Sequence, residues 1–325
     1  MQLSSLLTRL QPKRKVLIIG SVLADVLVKV DTMPVSGGDL TGHDPHIKIG
    51  GCSFNAADVL VKLGLPLTSL LPIGEGPWAR TITAEFMRRK LNPCIFEGCG
   101  DNGWCLTLIE PNGERTFITM PGIETHFHPQ WLQALDIASY DLIYLSGYQT
   151  EGENGEVIVQ SLQAMRQDAR LIYDPGPRTP YISQRLLNKL EALPLLYAVN
   201  EHEAQQLTAK ATPAQAAWAL AARTCGQAVV TCGAAGAICV DGGKIEKIPS
   251  FNITPIDTVG SGDAHSGGLM AGLMCNLSLN EATLLANACA ASVTAQEGAA
   301  CCGDRTQLRH LPGAEAELMP TPIPL

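Results

Sequence analysis

The chain has 325 residues, 46% of them hydrophobic and 17% charged, which is enough apolar material to bury the core of one large α/β domain or two ordinary ones. A formal net charge of −8 argues against a nucleic-acid partner held on a broad basic face, but not against ATP, which needs only local amides and one or two cations. The eleven cysteines show no C-x-x-C pair and no zinc-type histidine spacing, so they read as reduced thiols of a cytoplasmic protein, with Cys301-Cys302 either buried thiols or a redox pair.

Met1 to Lys15 lacks the continuous apolar stretch of a leader, so residues 1–12 are expected to be a short amphipathic extension, and no membrane partner is expected. Lys15–Gly20 is a β-rich run ending in glycine, the pattern of a buried parallel strand that opens an α/β fold. Asp25 follows at the strand's carboxyl end, where ligands gather in open α/β sheets; it reads as a binder of substrate hydroxyls or as a turn or capping residue. Val26–Asp31 and His43–Ile49 read as short strands. Gly50-Gly51-Cys52-Ser53-Phe54-Asn55 then enters an amphipathic helix; the glycine pair permits close backbone approach, and Asn55 presents both a donor and an acceptor.

Trp104–Glu110 and Arg115–Met120, joined through Asn112-Gly113, read as a hairpin that makes a small separate sheet with the two earlier strands. Trp104 and Arg115 read as pocket-lining residues or as strand packing and a surface charge. From residue 141 the pattern alternates: strands at Asp141–Ser146, Arg170–Asp174 and Leu195–Val199, a helix at Glu153–Arg166, and two helical stretches to Thr224. A strand at Gln227–Thr231 and a hairpin of Ala237–Val240 with Lys244–Ile248 follow, so the fold class is α/β with a doubly wound, mostly parallel central sheet. Arg178, after Asp174-Pro175-Gly176-Pro177, lies near the mouth of a site or on a rigid surface turn. Glu203 orders magnesium-bound water or is an ordinary first-turn glutamate.

Residues 257–272 are the most informative. Gly260-Ser261-Gly262 has no bulk to keep its amides from a ligand, and it runs straight into an apolar helical segment, which is the layout of an anion site. Asp263, in the first turn, is either a dipole partner or a general base beside a phosphate cradle. Gly267–Leu279 reads as a core helix and Asn280–Glu297 as an alanine-rich one. His126, His128 and His265 lack further ligands at metal spacing and read as structural. No G-x-G-x-x-G follows the first strand, and Gly243-Lys244 lacks the rest of a P-loop, which removes the nicotinamide-enzyme and P-loop classes.

The string Asp-Thr-x-Gly-x-Gly-Asp from Asp257, followed by Ala-x-x-Gly-Gly, resembles the C-terminal signature of the ribokinase-like, phosphofructokinase B type carbohydrate kinases. Gly50, Gly51, Asn55, Ala57, Gly64 and Gly74 are in register with that family's N-terminal signature, from which Ser53 departs, since glycine, alanine or proline is usual there. The resemblance implies one kinase domain over residues 13–312, with a lid inserted at 26–49 and 103–120 that closes over the sugar and pairs with a second subunit, and a tail at 313–325. It implies transfer of the ATP γ-phosphoryl group to a hydroxymethyl group of a small carbohydrate. A nucleoside kinase, which the 5% aromatic content disfavours, and an inactive nucleotide-binding regulator are the alternatives.

By the same resemblance Asp263 takes the acceptor's proton while Gly260, Ser261 and Gly262 hold the phosphoryl group. Asp25, Gly50, Gly51 and Asn55 hold the sugar. Asn200, Thr231, Gly233, Gly236 and Asn287 belong to the ATP side, and Glu203 positions Mg²⁺ through water. Asp257, Gly298 and Cys302 fall where some relatives bind a monovalent cation such as K⁺; cysteine is a poor ligand for it, and backbone carbonyls are the alternative donors.

Overall fold

The strand Val16–Ile19 is buried at every position, as an apolar run must be when both faces of a parallel sheet are covered. The computed structural model describes residues 1–324, which divide into a larger unit (1–20, 52–70 and 127 onward) and a smaller one (21–51 and 71–126). The larger unit holds a nine-stranded sheet. From Thr68–Leu70 its order runs through Val16–Ile19, Leu142–Ser146, Arg170–Asp174 and Leu195–Asn200 to Gln227–Thr231, all neighbours parallel. Ala237–Asp241, Lys244–Ile248 and Thr321–Pro322 complete it as antiparallel neighbours. The chain leaves Val16–Ile19 toward one edge for Thr68–Leu70 and returns on the other side at Leu142–Ser146, so the order reverses between those two strands. That reversal is the topological switch point.

The helix Ser261–Met274 is packed between Cys52–Lys62 and Leu279–Thr294, and small residues set the spacing. A Cβ on Gly267 would stand 2.7 Å from the Ala56 carbonyl oxygen, one on Gly268 2.7 Å from the Ala286 Cα, and one on Gly272 2.6 Å from the Ala282 Cα. Reading Gly267–Leu279 as one helix is corrected here. Asn276 takes φ +58°, which ends the first helix, and Ser278 starts the next with a capping box to Glu281. The expected extension at the start of the chain is a helix, Leu3–Thr8, whose Leu3, Leu6 and Leu7 are buried together with Leu10. Their spacing puts them on one face.

The smaller unit is a four-stranded sheet in the order His43–Gly50, Leu23–Lys29, Trp104–Ile109, Arg115–Met120, with the helix Pro77–Arg88 beside it. Asp101 accepts hydrogen bonds from the Trp78 and Ala79 amides at 3.1 and 2.7 Å and so serves the start of that helix. Trp104 stacks on Trp78 with ring centres 5.5 Å apart, so its part is strand-to-helix packing. Ile47, Val26, Leu106 and Ile118 lie directly opposite one another across the sheet, an apolar row whose outer members are 57% and 44% exposed. Among the described residues, no helix is long and apolar enough to cross a membrane.

Candidate active site

The start of the helix Ser261–Met274 is built to leave amides available. Gly260 is the N-cap at φ +77°, a conformation that L residues rarely adopt, and a Cβ there would stand 2.6 Å from the Ala299 Cα. Having no side chain, it caps nothing. Ser261 turns its hydroxyl back to the Thr258 carbonyl at 2.8 Å, and Gly262 faces open space. Asp263 stands half-buried in this first turn, at the positive end of the helix dipole.

Two residues of the helix Cys52–Lys62 reach Asp263. Asn55 donates from Nδ2 to Oδ2 at 2.7 Å, and the Cys52 thiol also donates to the carboxylate. Burial raises the Asp263 pKa above the ordinary carboxylate value, and these two hydrogen bonds oppose that shift. The Cys52 thiol is itself pushed well up, first by burial and then by the charges of Asp263 and Asp174, so it stays a neutral donor. Asn55 Oδ1 is buried without a hydrogen-bond partner, which leaves an acceptor waiting for a hydroxyl.

Ser266, one turn beyond Asp263, donates to Asp174 Oδ2 at 3.1 Å, and the Gly176 amide donates to Oδ1 at 3.1 Å. Burial holds the Asp174 carboxyl well above its usual range, reinforced by the charges of Glu203 and Asp263. Glu203 is buried and raised by burial as well, while Asn200 holds it on both sides. The Asn200 backbone amide donates to Oε2 at 2.9 Å and its side-chain amide to Oε1 at 2.7 Å, closing a capping box. The Glu203 charge helps raise Asp174, and two such neighbouring carboxyls suit a hard divalent cation. Among the described residues no three His, Cys, Asp or Glu side chains form a metal cage, so the fit is to Mg²⁺, which takes one or two carboxylates and fills its shell with water and phosphate. The Tyr144 hydroxyl is buried nearby, and burial, then the charges of Asp174 and Asp263, push its pKa well up.

The other expected residues fall in several places. Thr231 bonds to the Val199 carbonyl at 3.4 Å, and the turn Gly233–Ala235 leads to Gly236 at φ +93°, where a Cβ would meet the Ile248 carbonyl oxygen at 2.1 Å. The Asn287 amide donates to the Ile248 and Pro249 carbonyls at 3.3 and 2.9 Å, so its donors secure that segment rather than facing a ligand. His265 is buried and donates to Asn287, and burial lowers its pKa to about 4. Asp257 accepts from the Val259 and Gly298 amides at 3.0 and 3.1 Å, while the Cys302 thiol is in the core against Cys289. That donor set is a poor fit to a monovalent cation.

Asp25, Gly50 and Gly51 belong to the smaller unit. Asp25 sits mid-sheet between Lys48 and Cys105, and burial pushes its pKa up to about 6. A Cβ on Gly51 would stand 2.8 Å from the Ser21 carbonyl oxygen. The departure at Ser53 has a packing reason: the side chain is fully buried, donates to the Ile19 carbonyl at 3.4 Å, and occupies the place where a Cβ on Gly20 would stand. Cys52, Asp174, Ser266 and Tyr144 were not expected as site residues. Asp174 alone carried a signal, a carboxylate at the end of a buried strand.

The profile of the pfkB family carbohydrate kinases matches residues 13–305. An uncharacterized sugar kinase of Escherichia coli, YegV, is 34% identical over 313 residues, covering 94% of this chain and 97% of its own. Ribokinase of Thermotoga maritima superposes with a TM-score of 0.80 at 19% identity, over 91% of this chain and 98% of that one. Ribokinase of Arabidopsis thaliana complexed with ribose and ATP gives 0.77 at 18% identity, over 91% and 97%. At these identities the two structural likenesses establish the ribokinase fold.

Proposed function

We propose, from the premise that this chain belongs to the pfkB family of carbohydrate kinases, that it transfers the γ-phosphoryl group of ATP to a primary alcohol of a small carbohydrate, with Asp263 as general base. The observation that carries this reading is the Asp263 carboxylate in the first turn of a helix whose N-cap has no side chain, oriented by Asn55 at 2.7 Å. An acceptor hydroxyl that gives its proton to Asp263 becomes a better nucleophile toward phosphorus. The amides around Gly260–Gly262 and the helix dipole stabilise the charge on the transferring group. Asn55 Oδ1 would accept from a second hydroxyl of the same acceptor, and Asp25 is read as a further acceptor for substrate hydroxyls.

On the nucleotide side, Asn200, Thr231, Gly233 and Gly236 are assigned to ATP by their match to the family's motifs. Glu203 and Asp174 would hold Mg²⁺, which neutralises phosphate charge when bound. A homodimer through the smaller sheet is supported by the exposed apolar row at Ile47 and Ile118.

ADP release across pentoses, hexoses, keto-deoxy acids and nucleosides tests the reading. Asp263→Asn should lower kcat by about 10² or more with the KM for ATP largely kept, because general-base assistance is typically worth about 10²–10⁴. A variant with near-normal kcat would remove the assigned role.

A further inference from the structure

The switch point of the large sheet opens between the carboxyl ends of Val16–Ile19 and Leu142–Ser146, and ligands of open α/β sheets bind at such a crevice. Just beyond Ser146 stands Tyr148, which is 42% exposed. Its turn is fastened to the turn after the next strand: a Cβ on Gly147 would stand 1.9 Å from the Pro175 carbonyl oxygen. On that second turn Arg178 places its guanidinium carbon 5.4 Å from the Tyr148 ring centre and 4.3 Å from that of Tyr181.

The donor edge of Arg178 is already engaged. Glu151 accepts from Nε through one carboxylate oxygen and from Nη2 through the other at 2.8 Å, a bidentate pair that neutralises the guanidinium. Partial burial of the Tyr148 phenol, with the Asp263 carboxylate in electrostatic reach, pushes its pKa up to about 12 against the pull of Arg178, so it remains a neutral hydroxyl. The charges of Asp263 and Glu151 act on Tyr148 in one direction and that of Arg178 in the other. The arginine on these turns is already paired with a carboxylate.

We propose that Tyr148, steadied by the Arg178–Glu151 pair, forms a wall of the acceptor site, and that this pair makes the site select an uncharged polyhydroxy acceptor over a sugar acid or sugar phosphate. The inference rests on the kinase reading above. The aromatic face offers a surface to the C–H side of a carbohydrate, and the hydroxyl offers a donor to one of its oxygens. Glu151 is a positioning residue: it occupies the fork with which Arg178 would otherwise grip an anion.

The test is ADP release with neutral sugars and polyols, matched aldonic and keto-deoxy acids, and sugar monophosphates. The wild-type kcat/KM for the best neutral acceptor should exceed that for any anionic one by about 100-fold. Tyr148→Ala should raise the acceptor KM by about tenfold while kcat and the KM for ATP stay within about twofold. Glu151→Gln, which frees the guanidinium, should raise kcat/KM for the matched acid by about tenfold relative to the neutral sugar. A wild-type preference for an acid or a phosphate overturns the inference while leaving the kinase reading intact. So does an acceptor KM unmoved by Tyr148→Ala, or a folded Glu151→Gln enzyme with an unchanged acid-to-neutral ratio. Turnover of no acceptor of any class would instead overturn the kinase reading, and this inference with it. Should a thermal melt find Glu151→Gln unfolded, the wild-type acceptor profile and Tyr148→Ala decide.

Discussion

At Asp263 and Asp25 the same force, burial, raises a carboxyl's pKa, but at Asp263 the Asn55 and Cys52 donors oppose the shift. Asp25 therefore has a cost that can be measured. Its folded value of about 6 exceeds its ordinary 3.8, so the folded state binds the proton more tightly. The favourable contribution is fully present below 3.8 and is lost as pH rises through about 6. Asp25→Asn should then gain up to about 3 kcal/mol against urea near pH 8 and about nothing near pH 3.5. Equal gains at both pH values would show that the acid's ionisation is not the cause. Asp263, Asn55 and Glu203 were legible from local strings. Cys52 was not, and Asp174 was only as a carboxylate at the end of a buried strand: their place beside Asp263 comes from tertiary packing that joins residues as far apart in sequence as the 208 positions between Asn55 and Asp263.

Among the elements, the helix that carries Asp263 owes its position to three glycines that permit backbone-to-backbone approach. Gly268→Ala would drive a methyl to 2.7 Å from the Ala286 Cα, and neither helix backbone is the flexible end of a side chain. Overpacking of this kind costs about 1–3 kcal/mol, or about 2–4 °C of Tm per kcal/mol in a domain of this size. Calorimetry should find that loss, and an unchanged Tm would mean the helices separate freely. Long strands and the hairpins were readable from alternation and turn chemistry to within one to three residues; the largest miss, Leu23–Lys29 read as starting at Val26, puts Asp25 inside a strand. The short strands Thr68–Leu70 and Pro72–Ile73 were not, because three and two residues hold no period to detect.

For the whole molecule, the smaller sheet leaves Ile47 and Ile118 facing solvent in one row with Val26 and Leu106. Light scattering should find a dimer, and Ile47→Lys with Ile118→Lys should give the monomer; a wild-type monomer would withdraw the assignment. The α/β class and the separate small sheet followed from the order of patterns along the chain. The burial of Leu3, Leu6, Leu7 and Leu10 could not be read that way, because the periodicity announces a face but not the surface that receives it.

The large sheet also ends in a particular way. Its last member, Thr321–Pro322, is two residues long, contains a residue with no N–H to offer, and lies against a strand that carries Lys244, Glu246 and Lys247. At the opposite margin Thr68–Leu70 is only three residues long. Neither rim of this sheet presents the long, bare ladder of amides and carbonyls on which a stranger's strand could polymerise, so the same short pieces that were hardest to foresee guard the large sheet against edge-to-edge pairing.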